Sequence, residues 1–146
     1  MRLLAFQVPA ATAAALLALA GAEGATAAPS PARTPCPAAS LVGAALGQKD
    51  RAAGSQSSAY AKICLYKGGG IVPTRIQYQV DTASTFAAGE KAAATGSVVK
   101  LTGLGKSAYG TKSGGFIAVF TGSESIRVTA PLVSLTRLER LERKLL

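Results

Sequence analysis

The sequence predicts one α+β domain, in which an antiparallel sheet of about five or six strands packs against two or three helices, including a C-terminal one. Three observations carry this. Short β-favouring runs separated by Gly, Ser and Thr recur at roughly ten-residue spacing after Gly96. The run Ile71 to Val80 alternates sides, with Val72, Thr74, Ile76, Tyr78 and Val80 on one face and Arg75, Gln77 and Gln79 on the other. The last segment repeats leucine every three or four positions. At 146 residues the chain has room for a single domain.

The N-terminus stands apart from that domain. Arg2 precedes a stretch without charge, Leu3 to Ala22, and Ala25-Thr26-Ala27 fits the small-x-small pattern of a cleavage site. Residues 1–27 therefore read as a signal peptide. The same stretch is just long enough for an uncleaved anchor, but Gln7, Pro9, a majority of alanine and the lack of a following basic stop argue against one. Residues 28–35, rich in Pro and Ala without apolar period, form a disordered leader, and 36–146 is the domain. The residues before Cys36 are Arg-Thr-Pro, which does not suit lipidation, so the expected product is secreted, with no transmembrane segment after cleavage.

Element by element, Leu41, Val42, Ala45 and Leu46 lie at helical spacing before Gly47, with Ser40 a candidate N-cap and Cys36-Pro37 an alternative start. The segment Gln48 to Ser58 is polar and loop-like. Tyr60 to Lys67 and Ile71 to Val80 make a hairpin around Gly68 to Gly70, with Pro73 marking an edge or a bulge. Asp81 or Thr82 caps a second helix that Gly96 closes, and Gly89 weakens its middle by about 1 kcal/mol. Four short strands follow in a meander. In the final helix Leu132, Leu135, Leu138, Leu141 and Leu145 form the apolar stripe, leaving Arg137, Arg140, Glu142 and Arg143 for the polar side. That helix covers the sheet in one reading and docks on a membrane surface or partner in the other; its acidic residues and modest length favour the first.

Export makes Cys36 and Cys64, the only two cysteines, a disulfide pair. Sixteen Lys and Arg oppose seven Asp and Glu, and loss of residues 1–27 removes one charge of each sign, so the excess of nine positive charges persists. Such a protein is drawn to anionic polymers or lipid head groups. Lys62, Lys67, Arg75, Lys106 and Arg127 are the candidate basic contact surface.

Several chemistries fail on residue type. The stretch Lys100 to Thr111 ends a Gly-Lys-Ser like a phosphate loop, but Lys100 stands where that loop needs glycine and a poor helix opening follows. Gly103 and Gly105 are instead turn landmarks between two strands, with Lys106 exposed and Tyr109 inward. With no histidine, the usual base of a nucleophilic triad is missing, and two thiolates make no zinc site. No cofactor, metal or catalytic residue is assigned. The unusual alternatives are a Ser58/Lys62 dyad and a Glu90/Glu124 carboxylate pair. Scattered basic residues and the absence of Trp speak against nucleic acid.

Cys36-Pro37, Ala45-Leu46-Gly47, Cys64 to Tyr66 and Leu101 to Tyr109 occur in an order that resembles a broad group of small secreted proteins and lipoproteins of high-GC Gram-positive bacteria. The likeness runs from Cys36 to the C-terminus. The chain departs from the group in lacking a lipobox and in having Lys106 where an acidic residue is common. The resemblance implies an envelope-associated α+β domain with a Cys36–Cys64 bridge, and it transfers no catalytic residue. The expected function is a secreted, non-enzymatic module binding an anionic envelope component, a small ligand or another exported protein. The alternative is an extracellular hydrolase or transferase using one of the unusual sites above.

Overall fold

A computed structural model describes residues 34–68, 70–94 and 97–146. The expected signal peptide and nearly all of the expected leader, as well as Gly69 and Gly96, lie outside the described residues. The elements run α1 (Ala39–Leu46), β1 (Arg51–Ser57), β2 (Ala61–Lys67), β3 (Thr74–Val80), α2 (Ala83–Ala93), β4 (Val98–Leu101), β5 (Ser107–Thr111), β6 (Phe116–Phe120), β7 (Glu124–Thr129) and α3 (Leu135–Leu145). All strands join one antiparallel sheet in the order β1-β2-β3-β7-β6-β5-β4. Two meanders, β1 to β3 and β4 to β7, thus meet where β3 pairs with β7. The α+β architecture is the one the sequence predicts, with α3 among its helices.

The sheet has seven strands, not five or six, because Arg51–Ser57 is a strand and not a loop. Every residue of β1 is exposed, so it shows no apolar alternation to read. It forms an edge held by backbone pairing to β2, with a bulge between Ala52 and Gly54.

One face of the sheet carries Cys64, Tyr66, Ile76, Tyr78, Ile117, Val119, Ile126 and Val128, and α1 and α3 cover it. Leu138 and Leu141 are fully buried there, so the C-terminal helix serves as a lid on the sheet. Cys36 and Cys64 are bonded, with Cα atoms 5.7 Å apart, which pins the chain just before α1 to the middle of β2. Next to this bridge the Tyr66 hydroxyl donates to the Pro37 carbonyl at 2.7 Å. Burial of that phenol pushes its pKa up to about 12.

Local chemistry accounts for two of the helix ends. Gly47 stops α1 in the left-handed region at φ 71°, where a Cβ is disfavoured. Thr82 caps α2 by accepting from the Thr85 N–H at 3.2 Å. By contrast, α1 starts after Ala38 with no side-chain cap, so neither Ser40 nor Cys36-Pro37 begins it. Pro73 precedes β3 instead of marking an edge, since β3 is paired on both sides.

The C-terminal helix departs from the sequence reading in two ways. Leu132 lies before α3, fully exposed, at φ 68°. Glu142 is buried, not on the polar side, because it follows Leu138 by four residues and precedes Leu145 by three. Glu139 does meet Arg143, at 3.9 Å.

The turn between β4 and β5 is built by Gly103 at φ 73° and Gly105 at φ 53°. A Cβ at Gly105 would come within 2.5 Å of the Phe120 carbonyl, which accepts from the Lys106 N–H. Glycine here lets the turn press against the end of β6, Lys106 stays exposed, and Tyr109 is buried.

A candidate anion-binding face on the open half of the sheet

The second face of the sheet is only half covered. Phe86 of α2 packs on Tyr109 and Phe120, with ring centroids 5.2 and 5.5 Å away, over the half made by β4 to β6. Beside it the strands β3 and β7 present Arg75, Gln77, Gln79, Arg127 and Thr129. Register places Gln77 opposite Arg127 and Arg75 opposite Thr129, so the two arginines are diagonal neighbours. On the other side of β7, Ala118 faces Arg127 and Phe116 faces Thr129. These strands form a cleft of about 200 Å³ lined by Arg75, Gln77, Phe116, Arg127 and Thr129.

Three side chains in this cleft, Arg75, Gln77 and Arg127, are oriented by neighbours. The Arg75 Nη2 donates to Gln77 Oε1 at 2.7 Å, and Gln77 Nε2 donates to Gln79 Oε1 at 2.9 Å. Arg127 is held more firmly. Its Nη2 donates to Asp81 Oδ2 at 3.1 Å, and the Asp81 side chain is wholly buried. The other carboxylate oxygen of Asp81 accepts from the Thr82 N–H at 3.0 Å, so one acid fixes both the guanidinium and the start of α2. Arg127 Nε is buried without an acceptor, and its side chain is 28% exposed. The Tyr109 phenol lies nearby and its pKa is raised, chiefly by burial, with Arg127 opposing. Gly89 is the close-approach point of α2, since a Cβ there would sit 3.4 Å from the Tyr109 hydroxyl and 4.0 Å from Arg127 Nη2.

The arrangement suits a planar or tetrahedral anion. Two guanidinium groups supply paired N–H donors, and the Thr129 hydroxyl and Gln77 amide add shorter-reach contacts. A guanidinium already anchored by a buried carboxylate loses little freedom when a ligand arrives.

Of the five basic residues singled out by sequence, the fold brings Arg75 and Arg127 together. Lys62 pairs with Tyr78 and so belongs to the helix-covered face. Lys67 pairs with Arg51 at one end of the sheet, where a cleft of about 430 Å³ also takes in Lys49 and Asp50. Lys106 sits on the glycine turn close to Gly122. Asp81 and Gln77 were legible only as a cap and a polar-face residue; their part in the cleft depends on β3 pairing with β7, which sequence spacing does not specify.

Of the unusual catalytic pairs, one has its serine tied into a turn and the other is split by the sheet. The Ser58 Oγ accepts from the Ala61 N–H at 3.0 Å and donates to the Ala61 carbonyl at 3.3 Å, which commits it to the β1–β2 turn. Glu90 meets Lys100 at 3.5 Å beside α2, whereas Glu124 is in register with Val80 on the opposite face, so the sheet lies between the two acids. Among the described residues no group of three or more His, Cys, Asp or Glu could hold a metal ion. No described helix is long and apolar enough to cross a membrane. Comparison with protein-family models, with curated proteins and with solved structures gave no match.

Proposed function

We propose that this chain is an exported, non-enzymatic binding domain of the cell envelope, and that the cleft between Arg75 and Arg127 receives an anionic group of an envelope polymer, a phosphate or a carboxylate. The observation that carries the reading is the pairing of two guanidinium groups on the part of the second sheet face that α2 leaves open, one of them preset by the buried Asp81. The excess of nine positive charges would draw a polyanion toward the molecule before the cleft engages it. The Cys36–Cys64 bridge supports an oxidising location, and the motifs from Cys36 to Tyr109 support kinship with small secreted proteins of high-GC Gram-positive bacteria. Signal cleavage near Ala27 belongs to the same proposal. The engagement of the Ser58 hydroxyl in its turn and the separation of Glu90 from Glu124 by the sheet favour binding over hydrolysis.

The test is retention on cell-wall and membrane fractions at low and high salt. In about 1 M salt the screening length falls to about 3 Å, and attraction due to overall charge alone disappears. Retention that survives that salt, and is lost in Arg75→Gln, is the expected outcome. Arg75 is exposed and stands outside the Asp81 pair, so its replacement leaves the fold intact. Complete release of the wild-type protein at high salt would contradict a specific site.

A further inference from the structure

The end of the sheet at which β2 turns into β3 carries an apolar tip. Ile71 and Leu132 are fully exposed, at 104% and 101%, and Val72 is 57% exposed. They come from two loops, β2–β3 and β7–α3, yet line one shallow cleft of about 330 Å³ with Gly70 and Pro131. Water-exposed aliphatic side chains converging from separate loops add nothing to folding and oppose solubility. Leu132 is also the one non-glycine residue with positive φ among those described, at 68°. The backbone there is tied on both sides of it: Ala130 N–H donates to the Gly115 carbonyl, and Gly115 N–H donates to the Val133 carbonyl. The loop therefore holds the Leu132 side chain outward against the usual preference of a branched residue.

The same end is strongly cationic. Register puts Arg51 and Lys67 there, as cross-strand partners, and the β5–β6 turn, which bonds the loop after β7 through Gly115, adds Lys112. Lys49 in the α1–β1 loop completes four exposed cations. Asp50 is the one carboxylate among them, and it accepts from the Gln48 amide at 3.0 Å. Most other described acids lie away from this end: Asp81 and Glu124 close the opposite ends of β3 and β7, and Glu90 and Glu139 sit in α2 and α3.

We infer that this tip is a membrane-docking element that inserts Ile71, Val72 and Leu132 into the interface of an anionic bilayer, with Lys49, Arg51, Lys67 and Lys112 facing the head groups. The occupant follows from charge. A second copy would bring four like charges against four, whereas a surface of anionic lipid gains about fivefold in partitioning for each basic side chain near it. Three aliphatic side chains provide the part of the attachment that salt does not screen. The element uses residues distinct from the Arg75/Arg127 cleft and stands independently of it.

The chain lacks Trp, so Leu132→Trp places a single reporter at the tip. Its emission is expected to shift to the blue with vesicles of phosphatidylcholine containing about a quarter phosphatidylglycerol, and to stay unchanged with phosphatidylcholine alone. In co-sedimentation, Ile71→Asp/Leu132→Asp is expected to lower affinity for the anionic vesicles by about tenfold or more, with an unchanged thermal melt. Sedimentation of the double variant equal to wild type would overturn the proposal. So would a concentration-dependent dimer abolished by the same substitutions while vesicle binding persists, since that would make a second copy the occupant.

Discussion

A Cys36→Ser/Cys64→Ser double variant is expected to lose about 3–4 kcal/mol of stability, the entropy of a loop of this size no longer being restricted in the unfolded chain. The bonded residues are 28 apart in sequence, and Cys64 is buried in the core. The bridge fastens the segment leading into α1 onto β2, and Tyr66 bonds Pro37 in the same place. Losing the bridge thus also loosens the seat of Val42 and Leu46, which fill the core from α1. Since a small domain commonly has about 5–15 kcal/mol in total, this is a large share. Urea unfolding with and without reductant measures it, and coincident midpoints would show that the bridge contributes nothing.

The second large effect has the opposite sign. Glu142→Leu is expected to stabilise the protein at neutral pH by about 1–3 kcal/mol, the cost of an unsatisfied buried polar group. Glu142 is fully buried on the face of α3 that meets the core, and neither carboxyl oxygen has a hydrogen-bond partner. Burial pushes its pKa well above the ordinary carboxylate range. The half-buried Glu124 is raised for the same reason, and both acids lie near enough to Tyr78 to raise its pKa further.

The pH dependence follows from that direction. A carboxyl group with a folded pKa above its unfolded one contributes most to stability at acid pH. That contribution is lost as pH rises from the unfolded value, near 4.5 for these groups, through the folded one. Wild-type stability should therefore fall as pH rises from about 4.5 through the raised folded pKa of Glu142. In Glu142→Leu and Glu142→Gln the decline should be shallower, with Glu124 responsible for what remains. Thermal melts across that range decide it: a wild-type melting temperature rising with pH would contradict the burial of Glu142.

The parts of the fold legible in the sequence are those where a period coincides with burial. The β3 run alternates as its neighbours α3 and solvent require, and the leucines at 135, 138, 141 and 145 mark a helix packed on a sheet. Gly47 and the Gly103/Gly105 turn are legible because their backbone conformations disfavour a side chain. β1 was not, since Arg51–Ser57 is exposed on both faces and its pairing leaves no mark on composition. Glu142 hid behind its charge: helical spacing put it beside Leu138 and Leu145, but a carboxylate in a core is uncommon enough to be read as solvated. Leu132 fitted the leucine period and is nonetheless outside the helix, because the chain is first tied to Gly115 of the β5–β6 turn at Ala130 and Val133. The cleft was legible only in its residues. Arg75, Gln77 and Arg127 were visible as polar positions on strands, but they meet because β3 pairs with β7 across 40-odd residues of intervening chain.

The anion-binding cleft is tested most directly by an amide NMR titration with a soluble glycerol phosphate and, separately, a soluble uronic acid. A saturable shift centred on Arg75, Gln77, Arg127 and Thr129 for at least one probe, absent in Arg75→Gln, is the predicted result. Shifts that fail to saturate, or that centre on Lys49, Arg51 and Lys67 and persist in Arg75→Gln, would contradict it.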